Sequence, residues 1–229
     1  MPIVRLPGGP ALHYQEWGRP DGAVVLCLHG LGSSSDSWRH VGPALGERFR
    51  VIAPDARGHG RSQWTRDYSF EAMRDDVAGL MQELGILAAI LAGHSMGALT
   101  AYEMAANRPD LIRLLVLDEM PPPDPADPPR PIPRHSTPGD QTDWRAVIAI
   151  HRWRNNPPSD WWDLAGKIPN NTLVIGASES YLPQDRVEEI SRRIPHATFA
   201  SVEGSHAFHE ERPSTFLGVV EPFIAWFAK

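Results

Sequence analysis

One cysteine, Cys27, stands in the whole chain of 229 residues. No intrachain disulfide can form, and the apolar neighbours Val24, Val25, Leu26 and Leu28 mark Cys27 as a small core residue of a strand. Long apolar runs are missing too. None approaches the ~20 residues that span a bilayer. The start, Met1-Pro2-Ile3-Val4-Arg5, has no charged head followed by an apolar stretch, so no signal peptide is read and a cytoplasmic protein without a membrane partner is expected. Basic clusters are scarce. Beyond Arg192-Arg193, which reads as a solvated helix face, there is none. With 28 acidic against 22 basic residues the net charge is −6, which argues against nucleic acid, because phosphate contacts want a basic face. No His-Glu-x-x-His or comparable metal-spaced cluster occurs, so neither a metal nor an organic cofactor is expected. Internal repeats are also absent.

What is present is the composition of a globular enzyme-sized domain. Hydrophobic residues make up 41% and charged residues 22%, enough apolar material for one large core. Short apolar runs alternate with longer amphipathic ones. Strands are expected over 3–6, 12–17, 24–28, 50–53, 89–92, 114–117, 173–175 and 198–202. Helices are expected over 38–45, 70–84, 96–107, 186–194 and 214–227. Residues 70–84 place Phe70, Met73, Val77, Leu80, Met81 and Leu84 at helical spacing. The alternation predicts an α/β fold: a mostly parallel eight-stranded sheet with helices on both faces, opened by an antiparallel pair around Pro7-Gly8-Gly9-Pro10.

One stretch breaks this rhythm. Between Pro121 and Pro158 lie eleven of the 23 prolines, which exclude regular helix or inner strand over much of it. Trp144, Trp153, Trp161 and Trp162 argue against disorder, since disordered segments are poor in aromatics. Helical potential returns at 143–153 and 159–164. The expected organisation is a core of residues 1–120 and 166–229, with a short Pro/Trp-rich cap at 121–165.

Chemistry concentrates at Gly93-His94-Ser95-Met96-Gly97. An apolar run precedes it and a helix-like segment follows. A Gly-x-Ser-x-Gly turn between strand and helix holds its serine in a strained conformation and lifts the hydroxyl above the sheet edge. The flanking glycines avoid side-chain clashes. Ser95 is therefore the candidate nucleophile. His29-Gly30 follows the third strand, so the N–H groups of Leu31 and Met96 can form an oxyanion hole for the charge that develops in acyl transfer. Gly204-Ser205-His206 follows the last strand, and His206 is the candidate base. His209 is expected to pack or hydrogen-bond nearby.

These motifs, in this order, resemble the α/β-hydrolase superfamily, in its branch of small serine esterases and lactonases. The resemblance rests on Leu28-His29-Gly30-Leu31-Gly32, Asp55-Ala56-Arg57-Gly58-His59-Gly60-Arg61-Ser62, the Ser95 turn, and Gly204-Ser205-His206 with Glu211-Arg212-Pro213. It covers nearly all of the chain outside the cap. It implies a Ser-His-acid triad and a chiefly structural Asp55–Ser62 loop. A serine at the turn excludes relatives that use aspartate there.

The triad acid departs from the family pattern. It is usually an aspartate after the strand that ends here in Val174-Ile175-Gly176, but this chain reads Gly176-Ala177-Ser178-Glu179-Ser180. The family also uses the tip of the preceding strand, here Asp118-Glu119. Asp118 is favoured, Glu179 is second and Glu119 third. All three could fix the imidazole tautomer.

The resulting expectation is hydrolysis of an ester or lactone of a small to medium apolar molecule, in a pocket lined by Trp38, Trp161 and Trp162. Carbon–carbon bond hydrolysis or a non-hydrolytic biosynthetic step on the same triad, or ligand binding with little turnover, are the alternatives.

Overall fold

A computed structural model describes residues 2–132 and 141–227. Eight strands form one sheet: β1 (Ile3–Arg5), β2 (Ala11–Gly18), β3 (Val24–Leu28), β4 (Arg50–Pro54), β5 (Ala89–His94), β6 (Ile112–Asp118), β7 (Thr172–Ala177) and β8 (Ala197–Val202). Their order is β1-β2-β4-β3-β5-β6-β7-β8. The pairs β1–β2 and β2–β4 are antiparallel; every later pair is parallel. The expected architecture is therefore present. Strands β3 to β7 are almost continuously buried, as a sheet covered on both faces requires.

Among the described residues seven helices flank it: α1 (Val41–Gly46), α2 (Phe70–Glu83), α3 (Met96–Asn107), α4 (Trp144–Asn155), α5 (Gln184–Arg193), α6 (Phe208–Glu211) and α7 (Pro213–Phe227). Side chains alternate along the strands and feed two cores. Leu26, Leu28, Leu91, Leu115, Leu117 and Val174 pack on one face with residues of α2, α3 and α5. Val25, Cys27, Ala92, Val116 and Ile175 pack on the other with α1, α6 and α7. Ser69 caps α2, its Oγ accepting from Ala72 N at 3.3 Å, which fixes where that helix starts. The helix expected over 38–45 divides into a 3₁₀ turn, Ser35–Trp38, and α1. Ser34 caps the first piece, and Pro43 lies in the first turn of the second, where its missing N–H is not needed.

The proline-rich stretch 121–132 carries no helix or strand, 133–140 lie outside the described residues, and α4 follows. The start of α4 is fastened to the core. Asp143 N donates to Gly58 O at 2.7 Å, and the Tyr68 hydroxyl donates to Asp143 Oδ2 at 2.5 Å. A 3₁₀ turn, Trp161–Lys167, ends the stretch. It packs into the main core rather than above it: Trp161 and Ala165 are fully buried, and the Tyr102 hydroxyl donates to Trp161 O.

Candidate active site

Ser95 sits between β5 and α3 at φ 52°, ψ −113°. Only one other described non-glycine residue, Glu119 at φ 48°, has a positive φ. Neither serine nor glutamate favours this region, so the fold must hold both in place. The glycines at either side explain how the turn closes. A Cβ on Gly93 would lie 2.3 Å from Gly97 O, and one on Gly97 would lie 2.2 Å from Leu28 O. Leu31 and Met96 both border the cavity at Ser95. Among the described residues, neither of their N–H groups donates to another protein group. They are free donors at the mouth of β3 and the N-terminus of α3.

His206 and Ser95 line the same cavity. No hydrogen bond joins Ser95 Oγ to the His206 ring among the described contacts, a spacing common before substrate tightens such sites. The other ring nitrogen is firmly held. His206 Nδ1 lies 2.9 Å from Glu119 Oε2. Glu119 is fully buried, and its carboxylate is filled with donors. Oε1 accepts from Ala177 N at 2.7 Å and Gln184 Nε2 at 3.0 Å, while the Ser180 hydroxyl donates to Oε2. The loop after β7, where the family usually carries the acid, supplies donors to Glu119 instead.

This corrects the expectation that placed Asp118 against His206. Asp118 keeps the parity of Leu114 and Val116 and turns toward the α1/α7 face, where its Oδ2 lies 3.3 Å from His209 Nδ1. The next residue points the other way, and the left-handed backbone at Glu119 aims it at His206. Burial raises the Asp118 carboxyl pKa, with His209 opposing that shift. Glu179 is exposed and joins the loop after β8 only through its backbone, N to Gly204 O at 2.9 Å.

His94, inside the serine turn, is hydrogen-bonded as well. Its Nε2 donates to His206 O at 2.8 Å. Burial, followed by the nearby His209 and His206, holds it well below the usual histidine range, so it stays neutral. Among the described residues, His94, Asp118 and His209 are the one grouping whose donor atoms approach within 4.8 Å of one another. No sequence spacing would reveal it. His94 Nε2 is committed to the His206 carbonyl, which leaves Nδ1 as the ring's lone-pair nitrogen. The Asp55 loop is tied inward: Asp55 accepts from Ser35 N at 2.7 Å and Arg61 N at 2.9 Å, and His13 Nδ1 lies 2.8 Å away.

The three tryptophans expected to line the pocket do not. Trp38 is fully buried against His209 and Phe216 on the α1/α7 face. Trp161 is in the core against Tyr102. Trp162 donates from Nε1 to Pro123 O at 2.9 Å and lies under Arg193. Large aromatics at an α/β interface find more apolar contact inside than at a wet cavity. The cavity at Ser95, about 400 Å³, is walled by Leu99, Pro121, Ile150 and Trp153, together with Arg130, His151, Arg154, Tyr181 and Glu210. The lining is thus largely apolar, as expected, but carries charged residues that were not. Neither the spacing nor the composition of the cap singled out these polar residues.

Known proteins bear on this geometry. A family model described as the alpha/beta hydrolase fold matches residues 23–149. The sn-1-specific diacylglycerol lipase ABHD11 of Mus musculus is 42% identical over 101 residues, 43% of this chain and 33% of that protein. The bifunctional esterase/perhydrolase DCH of Acinetobacter calcoaceticus is 37% identical over 126 residues, 54% of this chain and 46% of that one. The match therefore spans from a third to about half the length of these relatives. The enol-lactonase of Burkholderia xenovorans LB400 has a similar structure, with a TM-score of 0.84 at 24% identity, over 98% of this chain and 100% of that one.

Proposed function

This chain belongs to the α/β-hydrolase family, and from that membership we propose that it is a serine hydrolase that cleaves an ester or lactone through an acyl-enzyme. The observation that carries the reading is the strained Ser95 facing a cavity that also holds His206, whose Nδ1 is bound by a buried carboxylate. That carboxylate is Glu119, which replaces Asp118 as the proposed triad acid.

Glu119 accepts the Nδ1–H of His206, leaving Nε2 as the base that faces the cavity. Ser95 Oγ attacks the carbonyl carbon while its proton passes to Nε2. The negative charge on the carbonyl oxygen is met by the N–H groups of Leu31 and Met96, each worth roughly 100- to 1,000-fold in rate. The buried carboxylate stabilises the imidazolium that forms. Collapse of the intermediate breaks the ester C–O bond, and Nε2–H protonates the departing alkoxide. Water then gives a proton to Nε2 and attacks the acyl carbon. A second collapse releases the acid and returns the proton to Ser95. No step needs a metal or organic cofactor. The stretch expected to form a cap supplies Pro121, Arg130 and the α4 side chains of the cavity wall from its described part, while its last turn belongs to the core.

Relatives named as lipase and esterase support ester chemistry, and the cavity size suits a small to medium substrate. The test is labelling by a fluorophosphonate probe together with turnover of p-nitrophenyl butyrate. Ser95 should be the labelled residue, and Ser95→Ala should lose both signals. Unlabelled protein without ester turnover would refute the reading.

A further inference from the structure

Arg130 and Arg154 stand on the same cavity wall as Ser95 and His206. Both are half-buried. Among the described residues, neither guanidinium is ion-paired with a carboxylate. The nearby acids are already taken. Arg186 grips Asp127 with two hydrogen bonds of 2.7 Å and holds Asp124 at 3.3 Å. Glu210, the acid on the cavity wall itself, is directed to Arg39 at 3.7 Å. Arg130 instead lies 5.7 Å over the Tyr181 ring, and Tyr181 packs against His206 with centroids 4.7 Å apart and the rings tilted by 51°. Burial first and then the neighbouring Arg130 lower the Arg154 pKa, with Tyr181 and Asp127 opposing the shift. Two half-buried neighbouring arginines, neither ion-paired with a carboxylate among the described residues, favour an anionic guest.

Resting on the serine-hydrolase reading, we propose that the cavity takes an ester or lactone carrying a carboxylate away from the scissile carbonyl, with Arg130 and Arg154 as its anion subsite. The chain of contacts from Arg130 through Tyr181 to His206 sets that carboxylate beside the reacting carbonyl rather than at a distant surface. An acidic half-ester would bring these two arginines a carboxylate of their own, since Asp127 is bonded to Arg186. The Arg154 fork can bind it bidentately, and Arg130 can close over it from Tyr181.

The test compares p-nitrophenyl hydrogen glutarate with uncharged p-nitrophenyl valerate. Wild type should favour the acidic ester in kcat/KM. In Arg154→Met the acidic-to-neutral ratio should fall about 10- to 100-fold, the value of a charge-assisted contact, and Arg130→Gln should lower it in the same direction. Arg152→Met, exposed on the same helix, should leave the ratio as it is. A wild-type ratio of one or below, unmoved by Arg154→Met, would overturn the proposal while leaving ester hydrolysis standing. Titration calorimetry of monomethyl glutarate against Ser95→Ala keeps the question separate from turnover. Saturable binding that disappears in Ser95→Ala/Arg154→Met supports the subsite even if no ester is cleaved, and absence of binding refutes it. Melting curves check that each variant is folded.

Discussion

Glu119 Oε2 meets His206 Nδ1 at 2.9 Å, and Asp118, one residue earlier, meets a different histidine on the opposite side of the sheet. Two adjacent carboxylates thus serve two histidines. Glu119→Gln should lower kcat/KM by about 10⁴-fold, the scale seen when the base loses the partner that sets its tautomer. Asp118→Asn should keep turnover within about tenfold and show its effect in melting temperature. Steady-state kinetics on p-nitrophenyl butyrate separates them; the reverse ranking would return the triad role to Asp118.

The backbone at Ser95 stores strain that a glycine would relieve. Ser95→Gly and Ser95→Ala both remove the hydroxyl, but only alanine keeps a Cβ at φ 52°. The glycine variant should be more stable than the alanine variant by about 1–2 kcal/mol. Urea unfolding of the two side by side tests this, and equal midpoints would show the turn to be relaxed.

Trp161 and Trp153 should part ways. Trp161 is fully buried and Trp153 borders the cavity. Trp161→Ala should cost about 3–5 kcal/mol of stability, the usual range for emptying a large core site. Trp153→Ala should act chiefly on KM. A Trp161→Ala enzyme with native stability and an altered substrate range would contradict its place in the core.

Acid should unfold the protein partly through His59. Its ring is fully buried, with Nδ1–H donating to Arg57 O at 3.0 Å. Burial first, and then the nearby His29, push its pKa down to about 3. Unfolded, the same ring titrates near 6.5. Below that pH the unfolded chain takes a proton that the folded chain refuses. Stability is thus lost as pH falls from 6.5 toward 3, by about 1.4 kcal/mol per pH unit for this one proton. His94 acts in the same direction. Melting temperatures of wild type and His59→Gln across this window should diverge in slope, the variant falling less steeply. Parallel curves would remove His59 from the account.

Much of this molecule was legible because its signals are local. Phe70, Met73, Val77 and Leu80 mark α2 by period alone, and Gly93 and Gly97 mark the turn by what a Cβ would strike. Leu31, Met96, Ser95 and His206 follow from strand ends and chain order, and all four border one cavity. The acid resisted because strand alternation assigns Asp118 and Glu119 to opposite faces without saying which face holds the base. The positive φ at Glu119 has no glycine to announce it. Residues 121–165 resisted for another reason: prolines exclude regular structure but do not say where the next side chain points. Trp161 therefore went to the core, and Arg130 and Arg154 to the cavity, unannounced.

The contacts around Ser95 close on themselves. Ser95 N–H donates to Asp118 O at 3.0 Å, and Asp118 is bonded to Glu119. Glu119 holds the His206 ring, the His206 carbonyl holds the His94 ring, and His94 is bonded to Ser95. Covalent bonds alternate with hydrogen bonds around a circuit whose three segments are far apart in the chain. A displacement of the nucleophile, the acid or the base stretches all the other links at once. The acid, the base loop and the backbone of the nucleophile are therefore positioned before any ligand arrives, and the Ser95 hydroxyl's contact with the His206 ring is what binding has left to form. The Ser95 amide should be among the slowest to exchange with deuterium, although it lies at the wall of an open cavity.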